Sequence, residues 1–90
     1  MVPNDETAAT RQQAVREFVR ELTAEEIMLV TLRDELYEGR WEEMQTDLEE
    51  RLQGRPYVFK LASRIEDDLA RIKKMRAFEE GYQLNLGEFV

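Results

Sequence analysis

The sequence predicts an all-α fold, a compact bundle of about four helices. Apolar residues recur at helical spacing along most of the chain, and no alternating Val/Ile/Thr-rich run marks a strand. Strong breakers are sparse and fall at the joints: Gly39, Gly54, Gly81 and Gly87, with Pro3 and Pro56. Ninety residues make a single helical domain, 1–90, with room for one core. A chain of this size buries only about 60–65% of its unfolded surface.

The first helix is expected over 8–22, with Ala8, Val15, Phe18, Val19 and Leu22 on one face and residues 1–6 flexible. The second, 23–38, opens on a Thr-x-x-Glu capping box, Thr23 with Glu26, flanked by the hydrophobic staple of Leu22 and Ile27. A competing pattern places Ala8, Val15, Leu22, Leu29 and Leu36 seven residues apart, as in one bent helix. Arg11 and Glu25 spoil that seam, so a break at Thr23 is preferred. The early turns of the second helix are apolar nearly all round, which suits a central position. Gly39 supplies a left-handed end.

The third helix, 41–53, carries a narrow stripe of Trp41, Met44, Leu48 and Leu52, and Gly54 closes it. Pro56 suits the first position of the fourth helix, 56–80, whose stripe runs Tyr57, Val58, Leu61, Ala62, Ile65, Leu69, Ile72 and Met75. Phe59 and Phe78 fall off that stripe. The tail 81–90 reads as irregular but apolar, packing on the core or on a partner.

YEGRWEEM, residues 37–44, is read first as a helical corner. One residue separates Gly39 from Trp41, whose ring is in phase with Met44 and Leu48, while Glu42 and Glu43 suit a helix N-terminus. A partner-contacting tryptophan is the second reading. Residues 36–44, followed by Leu48, Leu52 and Pro56, resemble one tetratricopeptide helix pair: Gly39, Trp41 and Pro56 match that family's glycine, aromatic and closing proline. Leu32, Met44 and Arg51 stand where the family has small residues, and no second copy follows at its 34-residue period. The resemblance covers about a third of the chain, and no binding residues are carried over.

The sequence has neither histidine nor cysteine. That removes the usual general base, the usual transition-metal ligands and the Ser–His and Cys–His nucleophile systems. The glycines match no phosphate loop or dinucleotide fingerprint, and the acidic residues match no calcium loop. Neighbouring residues on a helix point about 100° apart, so the doublets Glu25-Glu26, Glu42-Glu43, Glu49-Glu50, Asp67-Asp68 and Glu79-Glu80 read as surface or capping charge. Arg64 and Arg71 stand at ion-pairing distance from Asp68 and Asp67. Arg71, Lys73, Lys74 and Arg76 form a cationic sleeve suited to a helix C-terminus. No catalytic, cofactor-binding or metal-ligating residue is therefore expected, and no cofactor.

The net charge of −7 opposes general nucleic-acid binding and is uneven. Residues 1–54 hold 6 basic and 14 acidic side chains, whereas 55–90 hold 7 and 6. The longest apolar run, 27–30, is too short for a membrane span, and the start has no signal-peptide character, so a cytoplasmic protein is expected. These observations suggest a small acidic protein-interaction module, an adaptor, regulator or subunit without catalytic activity. The alternative is a self-associating structural protein, such as a homodimer. Further behind stand a carboxylate-only metal-dependent hydrolase and an acidic nucleic-acid mimic. Candidate partner contacts are Trp41, Phe59, Phe78, Phe89 and Val90, with Phe59, Phe78 and Phe89 expected to lie exposed. Packing of Phe89 on the domain's own core is the simpler reading of the last residues; the other is a peptide that adds to a sheet edge.

Overall fold

A computed structural model describes residues 3–54 and 59–90; for 3–8 and 59–62 it describes the backbone alone. The described residues form four α-helices and one 3₁₀ turn: α1 (Pro3–Arg20), α2 (Ala24–Leu36), α3 (Trp41–Gly54), α4 (Phe59–Tyr82) and η1 (Leu86–Glu88). The all-α, four-helix prediction is borne out. Helix α1 starts earlier than residue 8, at Pro3, where a first-turn proline forfeits no intrahelical hydrogen bond. The placing of Pro56 at the head of α4 falls outside the described residues, as do the side chains of Tyr57, Val58, Phe59, Leu61 and Ala62.

The break between α1 and α2 lies where the capping box puts it. Thr23 Oγ1 accepts from Glu26 N at 3.2 Å, and Glu26 Oε1 accepts from Thr23 N at 2.9 Å. Each bond satisfies a donor that the helix start leaves without a partner. At the other end of α2, Gly39 is left-handed as expected (φ +78°), and Glu38 shares that region at φ +53°. The carbonyl of Arg33 accepts from both Tyr37 N (2.9 Å) and Gly39 N (3.1 Å), which turns the chain into α3.

Helices α3 and α4 run antiparallel: Trp41 meets Glu79, while Gln45 and Glu42 both meet Arg76. Gly81 does not end α4. The helix continues to Tyr82 and stops at Gln83, which takes the left-handed conformation (φ +53°). Leu84 N then donates to Glu79 O at 3.2 Å, folding the tail back along the helix it has just left.

The core is a cluster of Leu29, Val30, Trp41, Met44, Ile72, Met75 and Leu86, bordered by Phe18, Val19, Leu22, Leu32, Tyr37, Leu48, Phe78 and Leu84. Helix α1 joins through its aromatic contact with α4. Phe18 stacks on Phe78 with ring centres 3.8 Å apart, and Phe78 meets Tyr82 at 4.5 Å. Principal extents are 59 × 22 × 18 Å. The long axis exceeds the roughly 36 Å length of a 24-residue helix, so the helices do not all lie side by side over their full lengths.

Candidate functional site

The tail folds back onto a buried arginine. Arg33, on α2, is only 1% exposed, and its guanidinium spends every nitrogen on a named partner. Nε donates to Asp34 Oδ1 at 2.9 Å, Nη1 to both oxygens of Glu79 at 2.8 and 2.7 Å, and Nη2 to Asn85 Oδ1 at 2.5 Å. The Trp41 ring lies over the guanidinium carbon at 4.4 Å, a cation–π contact shielded from water. Burying a charge is tolerable only when it is paired and its donors are used, and here Glu79 supplies the counter-charge while all three guanidinium nitrogens have partners.

Glu79 is as fully committed. Besides Arg33 it accepts from Trp41 Nε1 at 2.6 Å and from Leu86 N at 2.7 Å. One carboxylate on α4 thereby ties α2, the Trp41 corner and the tail. Asn85 Oδ1 accepts from Gly87 N at 2.7 Å, which starts the 3₁₀ turn and seats the fully buried Leu86 in the core. Gly87 passes so close to Asp34 that a β-carbon there would collide with its carboxylate.

Beside this junction lies an open depression of about 740 Å³, lined by Arg40, Trp41, Glu42, Glu43, Arg76 and Glu79 together with Glu80, Gln83, Leu84, Asn85 and Glu88. Its cations are spent. Arg40 pairs with Glu43 at 3.0 Å, and Arg76 reaches Glu80 (3.0 Å), Gln45 (2.8 Å) and Glu42 (2.8 Å). The hydrogen bond to Glu80 leads the causes that raise the Arg76 pKa, so this guanidinium stays charged. No group of three or more acidic side chains among the described residues could hold a metal ion. Glu79, which also lines the depression, makes its four hydrogen bonds to Arg33, Trp41 and Leu86.

A second buried charge lies across α2. Glu26 is in ion-pair contact with Lys74 through Oε2, while Oε1 serves the capping box. Burial works against the charged carboxylate, but the Lys74 ammonium and the Thr23 N–H outweigh it and hold the Glu26 pKa below its ordinary value. In the cationic sleeve, Arg71 pairs with Asp68 at 2.9 Å (three residues apart, not the expected four from Asp67). Tyr37 donates to Asp47 Oδ2 at 2.7 Å, and this bond to an anion raises the phenol pKa.

The four candidate partner contacts whose side chains are described separate into two groups, one buried or half-buried and one exposed. Trp41 is buried and acts as the corner's pin, with its indole N–H consumed by Glu79. Phe78, expected to lie exposed, is half-buried, because Phe18 and Tyr82 sandwich it between α1 and the end of α4. The side chain of Phe59 lies outside the described residues. Phe89 and Val90 are 48% and 49% exposed. Phe89 is therefore not the lid of the core, a place taken by Leu86 three residues earlier. Two further exposed apolar residues were not singled out by sequence reasoning: Met28 at 61% and Leu36 at 67%. Their helical phase relative to Leu29 and Val30 was the available signal. Among the described residues no helix is long and apolar enough to cross a membrane. No protein-family model, curated protein or solved structure matches this chain.

Proposed function

We propose that this chain is a protein-interaction module, an adaptor, regulator or subunit that works by contact and not by catalysis. The observation that carries the reading is the four most exposed large apolar side chains among the described residues: Met28, Leu36, Phe89 and Val90, each about half exposed or more. Exposed apolar residues standing singly are ordinary. Here two lie on one helix and two end a tail that a buried ion pair holds in place, so the apolar surface is presented on ordered backbone. The committed hydrogen bonds of Glu79 and Arg33 support a structural junction over an active site. A cytoplasmic setting belongs to this reading on composition alone.

The test is affinity capture from nuclease-treated lysate of the source organism. The full chain is compared with a variant carrying Met28→Ser, Leu36→Ser, Phe89→Ser and Val90→Ser. A stoichiometric protein captured by the first and lost by the second supports the reading. Sedimentation at rising concentration separates it from self-association: a mass that doubles, and does so only in the unsubstituted chain, would replace it with a homodimer.

A further inference from the structure

Helix α2 carries an outward apolar stripe beside its buried face. At 100° per residue Met28, Leu32 and Leu36 fall within an arc of about 80°. Next to it is the arc of Glu26, Leu29, Val30 and Arg33, which the core encloses. Half-buried Leu32 bridges the two exposed residues. Side chains at i, i+4 and i+8 make a line of about 12 Å, the i, i+4 anchor spacing with which helices dock against one another.

On α2 itself the exposed charges beside the stripe are acidic. Glu25 stands at its N-terminal end and Glu35 on its solvent side, and neither enters an ion pair among the described residues. The single cation of α2, Arg33, is buried and neutralised by Glu79. Beyond the corner, Arg40 is held by Glu43 and Glu38, and across the helix Lys74 is committed to Glu26. The exposed charge of this helix is therefore anionic.

The geometry points to the outer face of α2 as the docking surface for an amphipathic helix of another protein, one whose apolar stripe is flanked by lysine or arginine. The inference rests on the interaction reading above and names its partner. The apolar line supplies contact area, while Glu25 and Glu35 select the basic flanks and speed encounter. A second copy of this chain is the poorer occupant, because the same face would bring two anionic borders together.

The test uses two synthetic amphipathic peptides of about 18 residues, long enough to form a helix. Both carry one leucine stripe, flanked in one by lysines and in the other by glutamates. Each is titrated calorimetrically into the full chain, and amide chemical shifts map the contact on the unsubstituted protein. The lysine peptide binds, with its shifts centred on 28–36, and the glutamate peptide binds at least about tenfold more weakly. Met28→Ser with Leu36→Ser, which changes no charge, weakens the lysine peptide by about tenfold or more while the protein keeps its cooperative melting transition, whereas Phe89→Ser with Val90→Ser leaves it unaffected. Equal binding of both peptides, no binding of either, or full retention by the Met28/Leu36 variant overturns the proposal. Binding lost only with the tail variant, with shifts centred on 84–90, also overturns it but leaves the interaction reading standing. That reading falls separately if the capture experiment finds no partner dependent on the exposed residues.

Discussion

Glu79 on α4 clamps the buried guanidinium of Arg33 on α2 through both carboxylate oxygens, at 2.8 and 2.7 Å, across 46 residues of sequence. The same carboxylate takes the Trp41 indole N–H and the Leu86 backbone N–H. This pair is the joint through which the corner, the long helix and the tail hold one another.

Breaking one side of the joint is costly. Arg33→Met leaves Glu79 short of its counter-charge in a nearly dry site and should lose about 3–5 kcal/mol in urea unfolding. Combining it with Glu79→Leu should lose clearly less than the two single losses added, because no orphan charge then remains. Strict additivity would mean that the two residues do not act as a pair.

Two glycines should respond with opposite signs. Gly87→Ala drives a methyl group into the Asp34 carboxylate, which Arg33 Nε already holds, so the turn must shift and about 1–2 kcal/mol is lost. Gly81→Ala meets nothing within 4 Å inside a helix and should gain roughly 0.5–1 kcal/mol. Urea midpoints of the two variants decide it.

The tail is anchored by its middle and not by its end. Leu86→Ala, removing a fully buried side chain, should cost about 2–5 kcal/mol. Phe89→Ala should stay within about 0.5 kcal/mol of the parent. A loss at Phe89 equal to that at Leu86 would place Phe89 in the core.

Acid should reveal Glu26. Its folded pKa lies below the unfolded value, so its contribution is present above the unfolded pKa and is lost as pH falls through the folded one. Thermal melts from pH 6 down through the ordinary glutamate range, about pH 4 and below, should fall less steeply for Glu26→Gln than for the parent. Parallel curves would show that this carboxylate does not titrate with unfolding.

Much of this architecture was legible in the sequence because it is locally encoded. Thr23 and Glu26 name their own cap, Gly39 its own turn, and the phase of Trp41 with Met44 gives its burial. The joint was not legible, since Arg33, Glu79 and Asn85 meet only in three dimensions. One signal did exist: Arg33 lies seven residues after Glu26 and in phase with Leu29, on the buried arc of α2. Gly81 misled for a physical reason, as glycine permits a helix end but does not impose one, and Gln83 took the left-handed position instead. Phe78 fell off the apolar stripe of α4 yet found burial against α1, a neighbour that single-helix periodicity does not contain.

On the proposed reading, the exposed side chains of Met28, Leu36, Phe89 and Val90 are surplus to the fold and free to meet a partner. The most direct measurement is the urea stability of the chain with all four changed to serine. The variant should unfold in a cooperative transition within about 2 kcal/mol of the parent, the sum of four exposed substitutions of about 0.5 kcal/mol each. Unfolding of the variant, or a loss on the scale of the buried Leu86→Ala change, would show that these side chains hold the fold together and would leave the interaction reading without the observation that carries it.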